Sequence, residues 1–154
     1  MAEETEVART QAEPTHRIVV GVDGSKCSLA ALHWAARQAE LTGSALEVIT
    51  TWEWPNTYGV VLAVPEGYDP EADARAVLDD VLKTVREDHP DLVVRPIVVR
   101  RHPAPALVEA SRGADLLVVG SRGHGEFTGM LLGSVSEHCV TNAHCPVLVL
   151  RDRG

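Results

Sequence analysis

A chain of 154 residues, 45% of them hydrophobic, is long enough to bury one sizeable core and fits one domain. Its net charge of −8, from 22 acidic and 14 basic residues, argues against a nucleic-acid or anionic-membrane surface, since neutralising phosphates needs a basic face. The three cysteines, Cys27, Cys139 and Cys145, do not make a disulfide framework, the opening MAEETEVART lacks the shape of a signal peptide, and no apolar run approaches the roughly 20 residues of a membrane span, so the expected compartment is the cytoplasm.

Residues 1–15 carry Glu3, Glu4, Glu6, Glu13 and Pro14 with almost nothing to bury and read as a disordered tail ahead of a domain over 16–154. HRIVVGV, 16–22, is the first strand, and Asp23-Gly24-Ser25 is a turn that ends in a helix cap. Leu29, Leu32, Ala36 and Ala39 then recur at helical spacing until Thr42-Gly43 stops the helix. ALEVITTW, 45–52, is the second strand. Residues 53–70, with Pro55, Gly59, Pro65, Gly67 and Pro70, read as a long surface loop.

From Glu71, the positions Ala74, Val77, Leu78, Val81 and Val85 trace one face of a second helix that ends before Pro90. Residues 92–99 form the third strand, and Pro103 or Pro105 starts a short third helix reaching Gly113. LLVV, 116–119, is the fourth strand, Ser134 to about Asn142 the fourth helix, and PVLVL, 146–150, the fifth strand, apolar on both faces. Strands alternating with helices through short connections predict a parallel sheet covered by helices on both faces. Ligands of such sheets sit beyond the carboxyl ends of the strands, where strand order reverses.

Between the fourth strand and fourth helix lie Gly120, Gly123, Gly125, Gly129 and Gly133, followed by Ser134, which is placed to cap the helix. Strand, glycine loop and helix N-terminus make an anion site, because glycines permit positive φ and close approach while free N–H groups and the helix dipole attract negative charge. The spacing of Gly120, Gly123, Gly133 and Ser134 is G-x2-G-x9-G-S, which is neither a Walker loop nor the G-x-G-x-x-G dinucleotide fingerprint.

This segment resembles the ATP-binding branch of the universal stress protein family, whose signature is that spacing at that place, and the resemblance spans residues 16–151. It implies an open five-stranded parallel sheet of order 3-2-1-4-5, of the adenine nucleotide alpha hydrolase-like (Rossmann-like) kind. It also implies ATP, with or without Mg2+, as ligand, and a homodimer joined through strand five. Carried over residue by residue, it puts Asp23 near the ribose and adenine, with Gly21 and Val22 on the same wall. Val48, to within about one residue, becomes an adenine contact. Val119, Gly120, Arg122 and Gly123 would follow the ribose and phosphates, and Gly133, Ser134, Val135 and Ser136 the outer phosphates, with His124 as a further cation when protonated.

Plainer readings stand beside these. Asp23-Gly24-Ser25 is also ordinary turn chemistry, and the glycines could form a linker. His138-Cys139 and His144-Cys145 hold zinc-ligand types without a recognised spacing, and Cys139 suits the inner face of its helix. Cys27 reads as structural, and Trp52, Trp54 and Tyr58 as loop packing or a cover for a base or a partner. No catalytic triad or nucleophile elbow is recognisable, so binding is better supported than turnover. The function expected is a nucleotide-dependent regulatory module in stress response. Its alternatives are a slow ATPase or self-phosphorylating protein using Ser121, Ser134 or Ser136, a cyclic nucleotide or AMP binder, and a dimeric scaffold without nucleotide.

Overall fold

The computed structural model describes residues 14–54, 56–57, 60–61, 63–123 and 131–151, with backbone alone at 56–57 and 60–61. Most of the expected tail lies outside the described residues, as do Tyr58, His124, Gly125 and Gly129. Five parallel strands form one sheet: β1 (Arg17–Gly21), β2 (Ala45–Trp52), β5 (Val94–Arg100), β6 (Leu116–Gly120) and β7 (Val147–Leu150), in the order β5-β2-β1-β6-β7. Counted along the chain, that is the expected 3-2-1-4-5.

The period-two alternation of the strands divides the core between the two faces. Ile18, Val20, Val22, Leu46, Val48 and Val118 point to one side, where they meet helices α1 (Lys26–Thr42) and α2 (Pro70–Asp88) through Leu32, Ala36, Leu78, Leu82 and Val85. Val19, Ile49, Leu117 and Val119 point to the other, against α3 (Pro103–Ala110) and α4 (Ser134–Asn142) through Leu107 and Cys139. Burial on both faces is why these strands read as nearly unbroken apolar runs.

Local chemistry sets the helix ends. Ser25 caps α1, its hydroxyl accepting from the Ser28 amide at 3.3 Å, and Gly43 closes the helix in the left-handed region. Removing the cap in Ser25→Ala is expected to cost about 1 kcal/mol, or roughly 2–4 °C of melting temperature by circular dichroism. Asp69 caps α2 and Pro70 is its first residue, so Pro70 opens a helix where the expectation had it close a loop. The stripe of α2 differs from expectation: Leu82 joins Ala74, Leu78 and Val85 as buried, while Val77 and Val81 only flank it.

The segment expected as loop from 53 to 70 also contains a short antiparallel pair, β3 (Asn56–Thr57) with β4 (Val60–Val61). β5 starts at Val94 rather than residue 92, because Leu92 is still in a turn whose amide donates to the His89 carbonyl at 3.1 Å. Pro96 is tolerated in β5 because this strand is at the sheet edge and pairs only with β2. Pro103, not Pro105, begins α3, and the chain turns after Ala110.

Cys139 is fully buried on the inner face of α4, and burial pushes its thiol up to about 11. At pH 8 it is therefore almost wholly protonated as well as covered. Iodoacetamide is expected to leave Cys139 unlabelled in the folded protein and to label it in urea, read by peptide mass spectrometry. Among the described residues, no helix is long and apolar enough to cross a membrane.

Candidate functional site

Strand order reverses between β1 and β6, and a cavity of about 440 Å³ opens at their carboxyl ends. Its walls bring together two segments nearly a hundred residues apart, the turn after β1 and the loop and helix start after β6. Gly21, Val22 and Asp23 line one side; Val119, Gly120, Arg122 and Gly123 line the other; Gly133, Ser134, Val135 and Ser136 close one end.

The turn after β1 is held by its own hydrogen bonds. The Ser25 amide donates to Asp23 Oδ1 at 2.9 Å, the Asp23 amide to Ser28 Oγ at 3.3 Å, and Ser28 Oγ to the Ser25 carbonyl at 2.9 Å. Asp23 is thereby set facing Gly123: a Cβ built on Gly123 would lie 2.6 Å from Asp23 Oδ2. Gly120 sits equally close to α1, where a Cβ would fall 2.7 Å from both the backbone carbon and the Cβ of Cys27. The expectation that these glycines supply positive φ is corrected here. Left-handed φ occurs at Gly24, Gly43, Gly67 and Gly113 and at none of Gly120, Gly123 and Gly133, so close approach is their role.

The start of α4 also departs from expectation. Its N-cap is Gly133, at φ −75° and ψ 167°, and Ser134 is the first helical residue, so the Ser134 hydroxyl does not cap it. Among the described residues no side chain caps this helix, and its first residues, Ser134, Val135 and Ser136, line the cavity. The helix start is instead pinned from below: the Gly133 amide donates to the Ser121 carbonyl at 2.6 Å, and the buried Ser136 hydroxyl donates to Ser121 O at 2.9 Å and Gly133 O at 3.0 Å. A fixed helix N-terminus without a side-chain cap, on a cavity that Arg122 also lines, is chemically an anion-binding end.

The universal stress protein family model matches residues 14–151. The chain belongs to the universal stress protein family. A universal stress protein of Mycolicibacterium smegmatis is 37% identical over 136 residues, covering 88% of this chain and 46% of that relative. A solved universal stress protein in complex with cAMP is 30% identical, with a TM-score of 0.63 over 88% of this chain and 95% of its own. A universal stress protein from Archaeoglobus fulgidus in complex with dAMP shares the fold at 21% identity, with a TM-score of 0.64 over 88% of this chain and 97% of that one. The chain spans about half the length of the curated relatives it matches.

In this universal stress protein, one residue expected at the site is not on the cavity wall. Val48 is fully buried among the core residues facing α1 and α2, and its neighbour Ile49, on the opposite face of the sheet, lines the cavity. One step along a strand reverses the side-chain direction, so an uncertainty of one residue decides between wall and core. The far end of the cavity was not anticipated at all: Ile49, Thr51 and Glu53 alternate along β2 and past its end, and Pro103 and Leu107 stand one turn apart on α3. Period two after a strand end, and i,i+4 on the next helix, are signals that point to this wall once the strand order is known. Of the aromatic group, Trp52 and Trp54 meet edge to face with centroids 5.8 Å apart, Tyr68 adds a ring 6.3 Å from Trp54, and Tyr58 lies outside the described residues.

Proposed function

We propose that this cavity binds an adenine nucleotide, ATP in preference to AMP or a cyclic nucleotide, and that occupancy regulates the protein's partners in a cytoplasmic stress response. The observation that carries the reading is the meeting of Asp23 with the Gly120–Gly123 turn and the open N-terminus of α4 in one cavity. The cAMP complex of a relative 30% identical supports an adenine nucleotide. Preference for the triphosphate is supported by the G-x2-G-x9-G-S spacing and by Arg122, which makes no ion pair among the described residues. Among the described residues, no cluster of three ligating side chains forms a metal cage. Mg2+, when present, would arrive on the phosphates of the nucleotide.

The unit that acts is one domain over 16–154, paired with a second copy through β7. This strand closes one edge of the sheet, and its four residues, Val147 to Leu150, are apolar and half-buried. Isothermal titration with Mg-ATP, AMP and cAMP tests the nucleotide reading. Saturable binding near one per chain, tightest for ATP, is expected; no heat and no thermal shift at millimolar nucleotide would overturn it. Light scattering at twice the chain mass is expected for the dimer.

Slow phosphoryl transfer is a second reading, favoured by one observation. Ser134 is exposed at the cavity, whereas Ser121 and Ser136 are only 3% and 2% exposed, and the Ser136 proton is engaged by two carbonyls. Label from γ-labelled ATP would therefore appear on Ser134 and vanish in Ser134→Ala.

A further inference from the structure

The end of the cavity away from the glycine turn has its own chemistry. Ile49, Pro103 and Leu107 provide apolar surface, while Thr51 and Glu53 provide one hydroxyl and one carboxylate. Glu53 is not paired with either neighbouring arginine: Arg100 stacks over Trp52 at 5.5 Å, and no ion pair joins Arg101 to it. Its partner is His102, the residue that precedes α3, whose Nδ1 lies 3.3 Å from Glu53 Oε2. This contact bridges the end of β2 and the start of α3 across the lip of the cavity. Oε1 takes no hydrogen bond from the described residues.

We propose that Glu53 is a base-reading residue: its Oε1 accepts a hydrogen bond from the exocyclic amine of the purine, and His102 positions it by holding Oε2. This rests on the nucleotide reading above and adds the base specificity. A carboxylate can only accept, so it suits a ring edge that carries an amine and opposes one that carries a carbonyl. Adenine presents N6–H₂ where hypoxanthine presents C6=O, the sugar and phosphates being identical. With a carbonyl there, the carboxylate loses its donor and faces a second acceptor, which costs more than the missing bond alone. The phosphate end, with Arg122 and the α4 amides, is lined by different residues, so base choice and phosphate affinity are separable by mutation.

The test is direct titration of Mg-ATP and Mg-ITP into wild type, Glu53→Gln, His102→Ala and His102→Gln. Wild type is expected to favour ATP by about 10-fold, the worth of one net hydrogen bond to a charged acceptor. Glu53→Gln, whose amide can turn to donate to a carbonyl, should bring the two ligands within about 3-fold by tightening ITP as well as weakening ATP. His102→Ala should narrow the ratio, and His102→Gln, which keeps a donor, should restore it, an outcome that loss of local packing would not produce. All four proteins should melt together, since Glu53 and His102 side chains are 56% and 60% exposed. Equal binding of ATP and ITP to wild type, or a ratio unchanged in Glu53→Gln, overturns the base-reading role while leaving the nucleotide site intact. Failure of wild type to bind either triphosphate overturns both.

Discussion

Gly120→Ala is expected to lower the melting temperature by about 4–8 °C, equivalent to about 2 kcal/mol, because the added methyl has no room against α1. The added methyl would fall 2.7 Å from the backbone carbon of Cys27, and backbone cannot rotate away as a side chain can. Either α1 or the end of β6 must shift, and both are packed on Val20 and Val118 in the fully buried centre of the sheet. Overpacking of this kind costs roughly 1–3 kcal/mol, whereas replacing glycine by alanine restricts the unfolded chain and returns only about 0.4–1 kcal/mol. Steric cost therefore wins. Gly43→Ala is the control, because its Cβ would meet nothing within 4 Å and only the φ of +68° is strained. Its loss should be nearer 1 kcal/mol. Thermal unfolding by circular dichroism separates the two, and equal losses would contradict the close contact at Gly120.

Three residues further on, Gly123→Ala is expected to do the reverse: leave stability within about 1 kcal/mol of wild type and weaken nucleotide binding by roughly 10–100-fold. Here the added methyl would meet Asp23 Oδ2 at 2.6 Å, the far end of a side chain that can swing aside. The movement is not free, because Oδ1 holds the Ser25 amide at 2.9 Å, so turning the carboxylate loosens the turn that shapes this wall. The methyl also occupies the cavity face itself. Titration calorimetry on the folded variant measures the loss, and affinity unchanged from wild type would remove Gly123 and Asp23 from the binding surface.

These paired glycines show what a sequence conveys and what it withholds. Their spacing marked the loop as special, yet the reason is contact across the fold, with Cys27 for Gly120 and Asp23 for Gly123, and not the local freedom of φ that glycine suggests when read alone. The five strands of the main sheet and the four helices were legible because each carries its own periodicity and start or stop signals, such as Thr42-Gly43 at the end of α1 and Pro103 at the start of α3. Less legible was whatever depends on register. Val48 and Ile49 are equally apolar, and only the pairing of β2 between β1 and β5 decides which one faces α3. Leu82 was passed over in α2 in favour of Val77 and Val81, since a helix with many apolar residues supports several neighbouring stripes. Glu53 and His102 carried no local signal, because they meet only when β2 and α3 come together beyond the sheet.

The account rests most on the claim that the cavity between β1 and β6 takes one adenine nucleotide per chain. Native mass spectrometry of wild type and Gly123→Ala, each with and without Mg-ATP, tests this most directly. The expected result is wild type carrying one ATP per chain and Gly123→Ala largely empty at the same concentration. Wild type that stays empty at millimolar ATP, or a variant that loads as fully as wild type, would contradict it.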